Sequence, residues 1–121
     1  MKTSFGPLVL AVMYLAVAKS DTRVDFVLSA RDLPNMDIFD GAPDPYVIVF
    51  YASRSNESYT KVAQTSYISD ENNPDWPDVF SFNLTGAFSQ QKIQIDIYDS
   101  DYDADDYIGS AEFLLRDIVP S

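Results

Sequence analysis

Residues 92–114 read KIQIDIYDSDYDADDYIGSAEFL, and the fold follows from how that stretch alternates. Ile93, Ile95 and Ile97 alternate with Gln94 and Asp96, a period of two that belongs to a strand with one buried face and excludes an amphipathic helix. Tyr107 to Leu114 is a second strand. Between them stands a short connection holding Asp99, Asp101, Asp103, Asp105 and Asp106. Two apolar strands joined by an acidic loop therefore set the pattern to be sought elsewhere in the chain.

Working outward, the pattern recurs. Phe80, Phe82 and Leu84 alternate with Ser81 and Asn83. Tyr59 to Ile68 is a more polar strand with β-branched Thr60, Val62 and Thr65. Pro45 opens an apolar run, Tyr46 to Tyr51, of the kind expected for a strand covered on both faces. Val24, Phe26 and Leu28 alternate with Asp25 and Ser29. Six short strands about ten residues apart, with no helical period, predict an all-β fold, an antiparallel Greek-key β-sandwich.

The first twenty residues differ. Lys2 gives a positive start, Leu8 to Ala18 is an apolar run, and Ala16, Ala18 and Ser20 supply small residues at signal-peptidase spacing. That is the pattern of a cleaved signal peptide, and the run falls short of the ~20 residues a bilayer span needs. The alternatives are a buried first strand or a membrane anchor. On the export reading residues 1–20 are the signal peptide, residues 21–121 are one domain, and the mature protein is secreted and extracellular. Asn56-Glu57-Ser58 and Asn83-Leu84-Thr85 are glycosylation sequons, in keeping with export.

Composition narrows the chemistry. The chain has 121 residues, 46% of them apolar, which suits one domain with a modest core. It holds 8 basic and 19 acidic residues, and loss of Lys2 and Lys19 with the leader takes the net charge from −11 to −13. So acidic a protein has little with which to neutralise phosphates, which argues against nucleic acid as a partner. With no His and no Cys, nucleophile–His pairs, soft metal sites and disulfides are all excluded. Any metal must be hard and oxygen-bound.

Loop parity locates the acid. If each strand crosses the sandwich once, the connections at 31–44, 69–77 and 99–106 emerge at one end. They carry Asp32, Asp37, Asp40, Asp44, Asp70, Glu71, Asp75 and the five aspartates of 99–106, whereas the connections near 52–58 and 85–91 hold only Glu57. Clustered carboxylates repel one another, and calcium, which accepts six to eight oxygens in flexible geometry, removes the conflict. A solvated acidic surface is the alternative. An EF-hand starting at Asp99 fails, because position 6 would be Ala104 and position 12 Ser110.

At these residues the sequence resembles a known family. Leu28-Ser29-Ala30-Arg31-Asp32-Leu33, Asn35-Met36-Asp37, Asp44-Pro45-Tyr46-Val47, Asn73-Pro74-Asp75-Trp76 and Tyr98-Asp99-Ser100-Asp101 with Asp105-Asp106-Tyr107-Ile108-Gly109 look like the ordered motifs of a C2 domain. That family is a calcium- and phospholipid-binding β-sandwich, and the likeness runs from about residue 23 to 118. Gly41 to Val47 is similar to the equivalent loop in the membrane-docking C2 domain of perforin. The resemblance implies two calcium ions held by Asp37, Asp44, Asp99, Asp101 and Asp106, with Asp103 and Asp105 able to add oxygens. It departs from the family by one extra residue between Asp37 and Asp44 and one fewer between Asp101 and Asp106. Family sandwiches have eight strands where six are counted here. The stretch Val47–Phe50 also lacks the Lys-rich strand of phosphoinositide binders, and Lys61 alone follows it.

The loop tips carry Met36, Ile38, Phe39 and Tyr102, which either fold inward or project to contact a membrane interface. Trp76 and Tyr46 are expected in packing. The expected function is calcium-dependent docking of a monomeric secreted module on a phospholipid membrane surface. The alternative is a calcium-stabilised module for a protein partner. Carboxylates at a rim, without basic or His partners, do not predict an enzyme.

Overall fold

A computed structural model of the chain describes residues 2–4, 12–19, 23–35, 41–85 and 88–118; of 2–4 and 12–19 it describes the backbone. The strands are β1 (Lys2–Ser4), β2 (Val12–Lys19), β3 (Arg23–Arg31), β4 (Pro45–Ala52), β5 (Thr60–Gln64), β6 (Phe80–Asn83), β7 (Lys92–Asp99) and β8 (Asp106–Leu114). A 3₁₀ turn spans Phe88–Gln90, and a one-turn helix, α1 (Leu115–Ile118), follows β8. Two four-stranded antiparallel sheets form, in the orders β1-β2-β3-β6 and β5-β4-β7-β8. β3 sits beside β6, and β4 beside β7, the crossed neighbour relations of a Greek key. Among the described residues no helix is long and apolar enough to cross a membrane.

The count of six strands is corrected to eight. Both additional strands come from the N-terminal segment: β2 lies mostly in an apolar run with no alternation to betray a strand, and β1 is three polar residues, too few to show a period. The backbone of Val12–Lys19 is paired with β3 from Val12↔Arg31 to Lys19↔Val24. The polar strand expected at 59–68 is also shorter, Thr60–Gln64.

Periodicity becomes packing in the middle of the sandwich. Val24, Phe26, Leu28 and Ala30 from β3 face Val47 and Val49 from β4, Ile93, Ile95 and Ile97 from β7, and Ile108 and Ala111 from β8, all within one buried cluster. Each large side chain so buried contributes roughly 1.5–3 kcal/mol. Phe26 centres an aromatic group, stacked on Phe82 and tilted to Phe80, with ring centroids 5.6 Å away in both pairs. A register shift at Ile97/Tyr98 pairs Ile97 with Gly109 and Tyr98 with Tyr107. The extra residue, Ile108, stays buried, so the bulge re-aims the start of β8 without emptying the core. Trp76 is buried as expected, and its indole N–H donates to the Pro45 carbonyl at 3.2 Å. This ties the 69–77 connection to the start of β4, at the acidic end.

Candidate functional site

β3 ends and β4 begins at the same end at which β7 ends and β8 begins, as the registers Pro45↔Asp99 and Asp99↔Asp106 require. A cavity of about 690 Å³ opens there, lined by Gly41, Ala42, Asp44, Tyr67, Asp70, Asp99, Ser100, Asp101 and Tyr102. Connections that are far apart in the chain therefore converge as loop parity requires.

Backbone hydrogen bonds hold them. The N–H of Asp44 donates to Oδ1 of Asp99 at 2.8 Å, and the Asp44 carbonyl accepts from the N–H of Ser100 at 2.9 Å. The N–H of Asp70 donates to Oδ1 of Asp44 at 2.6 Å. Asp70 takes a left-handed backbone (φ 56°), which turns its amide toward Asp44. Gly41 (φ 75°) makes the tight turn leading into β4, a left-handed conformation that glycine adopts at no steric cost.

The electrostatics are those of crowded carboxylates. Asp99 is 9% exposed, and its carboxyl is raised above the ordinary aspartate value chiefly by burial. Asp44, Asp106 and Asp101 push it further in the same direction, and the N–H of Asp44 opposes them. Asp105 behaves differently. Its Oδ1 accepts the N–H of Asp101 at 2.9 Å and its Oδ2 the hydroxyl of Tyr46 at 2.5 Å. These two bonds, the backbone one foremost, hold its carboxyl below the ordinary value. The same contact adds to burial in pushing Tyr46 up to about 12. Tyr46 also stacks on Tyr98, with centroids 5.8 Å apart.

The expected residues divide accordingly. Asp44, Asp99 and Asp101 line one cavity, and Asp106 pairs with Asp99 across the β7–β8 ladder. Asp103 is exposed, and Asp105 is spent on shaping its own loop. Tyr102 is 94% exposed at the tip of the 100–105 connection. Met36, Asp37, Ile38 and Phe39 lie outside the described residues. Among the described residues no three acidic side chains converge as a metal cluster. The side-chain donors lining the cavity are all oxygens, carboxylates with the hydroxyls of Ser100, Tyr67 and Tyr102, which suit a hard cation and no soft one. Asn56 and Asn83 are exposed, and Asn83, paired with Arg23, lies at the opposite end from the acidic loops. Loop parity had placed Asp70 at this end without singling it out as a ligand, and sequence reasoning passed over Gly41 and Tyr67 as cavity residues. Of these two only the glycine carried a signal, its place just before the strand.

A sequence profile of the C2 domain matches residues 22–121. The chain belongs to the C2 domain family. This C2 domain is 33% identical over 95 residues to multiple C2 domain and transmembrane region protein 9 of Arabidopsis thaliana, covering 76% of this chain and 8% of that protein. It is 31% identical over 100 residues to extended synaptotagmin-1 of Homo sapiens, covering 78% and 8%. With elicitor-responsive protein 1 of Oryza sativa subsp. japonica it shares 37% over 82 residues, 65% of this chain and 48% of that one. The chain therefore spans under a tenth of the first two relatives and about half of the third. Among solved structures, a RIM C2 domain from Drosophila superposes with a TM-score of 0.65 at 20% identity, over 86% of this chain and 83% of that one. A C2 domain of plant extended synaptotagmin 1 gives 0.60 at 22%, over 78% and 68%. Both likenesses concern the fold.

Proposed function

We propose that this C2 domain docks on phospholipid membranes in a calcium-dependent way, through its acidic end, as a secreted module freed of residues 1–20. The observation that carries the reading is that Asp44, Asp99 and Asp101 line one cavity whose rim bears the exposed Tyr102. Asp44, Asp99, Asp101 and Asp106, with Asp37 from the preceding connection, would hold the cation. A hard divalent ion bound there supplies positive charge and coordination positions open to lipid phosphate.

The protein's own residues do the rest. The mutual repulsion already evident at Asp99 favours uptake of positive charge over leaving the loops apart. Asp105 and Tyr46 fix the loop that carries Asp101, so the ligand is placed before any ion arrives. Tyr102 presents an aromatic ring with a polar tip, which suits the boundary between head groups and acyl chains. A dense negative rim opposes an anionic membrane until neutralised, and that gives the docking its switch. This reading assigns the site to binding and not to catalysis.

Flotation of the protein with phosphatidylcholine vesicles, in millimolar calcium and again in chelator, tests the proposal, and phosphatidylserine vesicles separate the lipid classes. Flotation in calcium alone is expected. Its absence from both vesicle types would refute membrane docking and favour the alternative of a protein partner.

A further inference from the structure

A second cleft, of about 420 Å³, adjoins the acidic cavity, lined by Ser66, Tyr67, Ile68, Trp76, Pro77 and Asp78. Tyr67 stands between the two, since it lines both. One carbonyl fixes both walls of the cleft. Pro45 accepts the Ile68 N–H at 3.0 Å and the Trp76 indole N–H at 3.2 Å. Pro45 follows Asp44 directly, so the walls are anchored one residue from an expected calcium ligand.

The lining selects a cation. It holds one carboxylate and no basic side chain. Asp78 is half-buried and, among the described residues, has neither an ion pair nor a hydrogen bond. A carboxylate partly withdrawn from water without a partner is unfavourable, and a cation in the cleft relieves it. The aromatic walls favour the same charge. Tyr67 is 58% exposed, whereas Trp76, at 3%, closes the cleft from the core side. Neither ring is paired with another among the described residues. Aromatic residues beside a carboxylate attract organic cations, a quaternary ammonium above all, which brings no N–H in need of an acceptor.

We infer that the cleft takes the trimethylammonium group of a phosphatidylcholine head group whose phosphate rests on the cation in the neighbouring cavity. The inference rests on the membrane docking proposed above and names its lipid. That head group carries a negative and a positive charge a few bonds apart, and the two adjoining sites call for one of each. Phosphatidylserine adds a carboxylate, which Asp78 repels. Phosphatidylethanolamine offers a compact, strongly hydrated ammonium, which aromatic walls hold less well.

The test measures, in millimolar calcium, partition of the full chain onto three kinds of vesicle: phosphatidylcholine, phosphatidylserine, and an equimolar mixture of phosphatidylserine and phosphatidylethanolamine. Partition onto phosphatidylcholine is expected to be the strongest. Asp78→Asn is expected to weaken it at least about threefold, the size of one cation–aromatic contact, while the calcium Kd by isothermal titration calorimetry stays that of the parent. Tyr67→Ala should weaken it as much, and Tyr67→Phe, which keeps the ring, should retain it. Free phosphocholine reads the cleft directly, because Trp76 is the only tryptophan of the chain. Its emission is expected to respond to phosphocholine in calcium, with the half-saturating concentration raised at least about threefold by Asp78→Asn. An emission that does not respond would overturn the inference, as would a phosphatidylcholine preference that survives Asp78→Asn. Flotation without a choline preference would end this inference alone. Flotation with none of the vesicles would end the docking reading and this inference with it.

Discussion

Two aspartates at opposite ends of the β7–β8 connection do different work. Asp99 is buried among like charges, whereas Asp105 has both oxygens taken by an amide and a phenol. Replacing Asp99 and Asp101 by Asn removes charge from a repelling cluster and keeps the side-chain size. The double variant is expected to melt in chelator no lower than the parent, and to lose calcium-dependent flotation. Flotation that persists would show that these carboxylates do not hold the cation. Asp105→Ala deletes no expected core ligand but frees the loop bearing Asp101. A several-fold rise in the calcium Kd, measured by isothermal titration calorimetry, is expected, with Tyr46→Phe acting in the same direction and more weakly. Tyr102→Ala should leave that titration unchanged and weaken flotation, because the ring is exposed and makes no part of the loop's own packing.

The central strands were the most legible elements. Ile93, Ile95 and Ile97 announce β7 by alternation alone, and all three are fully buried between β4 and β8. Ile95→Ala is therefore expected to destabilise the domain by about 2–5 kcal/mol. That corresponds to a fall of at least about 8 °C in Tm for a domain of this size. Ile48, the half-buried β4 residue on the outer face, should lose less when cut to Ala, and calorimetry on the two variants makes the comparison. Where the sequence was opaque, backbone partners decided the structure. β2 lies in a stretch whose near-uniform apolarity fits a leader and a strand equally, and the three polar residues of β1 are too few to show a period. The acidic end was legible because loop parity needs only strand count modulo two, and both additional strands precede β3, so the parity held. Asp105 was not separable from Asp103, because spacing cannot tell which carboxylate will meet the phenol of a residue on another strand. The left-handed turn at Asp70 was equally hidden, since aspartate gives no such notice as glycine does at 41.

Over the whole molecule, charge and stability are coupled. The formal charge is −11, and the acidic loops gather much of it at one end of a small sandwich. Self-repulsion of that kind opposes the compact state, so sodium chloride, which shortens the Debye length from ~10 Å at 0.1 M to ~3 Å at 1 M, should raise the Tm of the calcium-free protein. Calcium acts on the same term by direct neutralisation. At one to ten times its Kd a ligand that binds only the folded state adds roughly 0.4–1.4 kcal/mol, which a domain of this size registers as roughly 2–11 °C. The two effects draw on the same repulsion and are therefore not additive. Differential scanning calorimetry across a grid of both is expected to show the calcium increment shrinking as salt rises. In the Asp99→Asn, Asp101→Asn variant the calcium increment should vanish and the salt increment should diminish. An increment from calcium that is independent of salt, or that survives in the variant, would mean that the ion binds away from the acidic end.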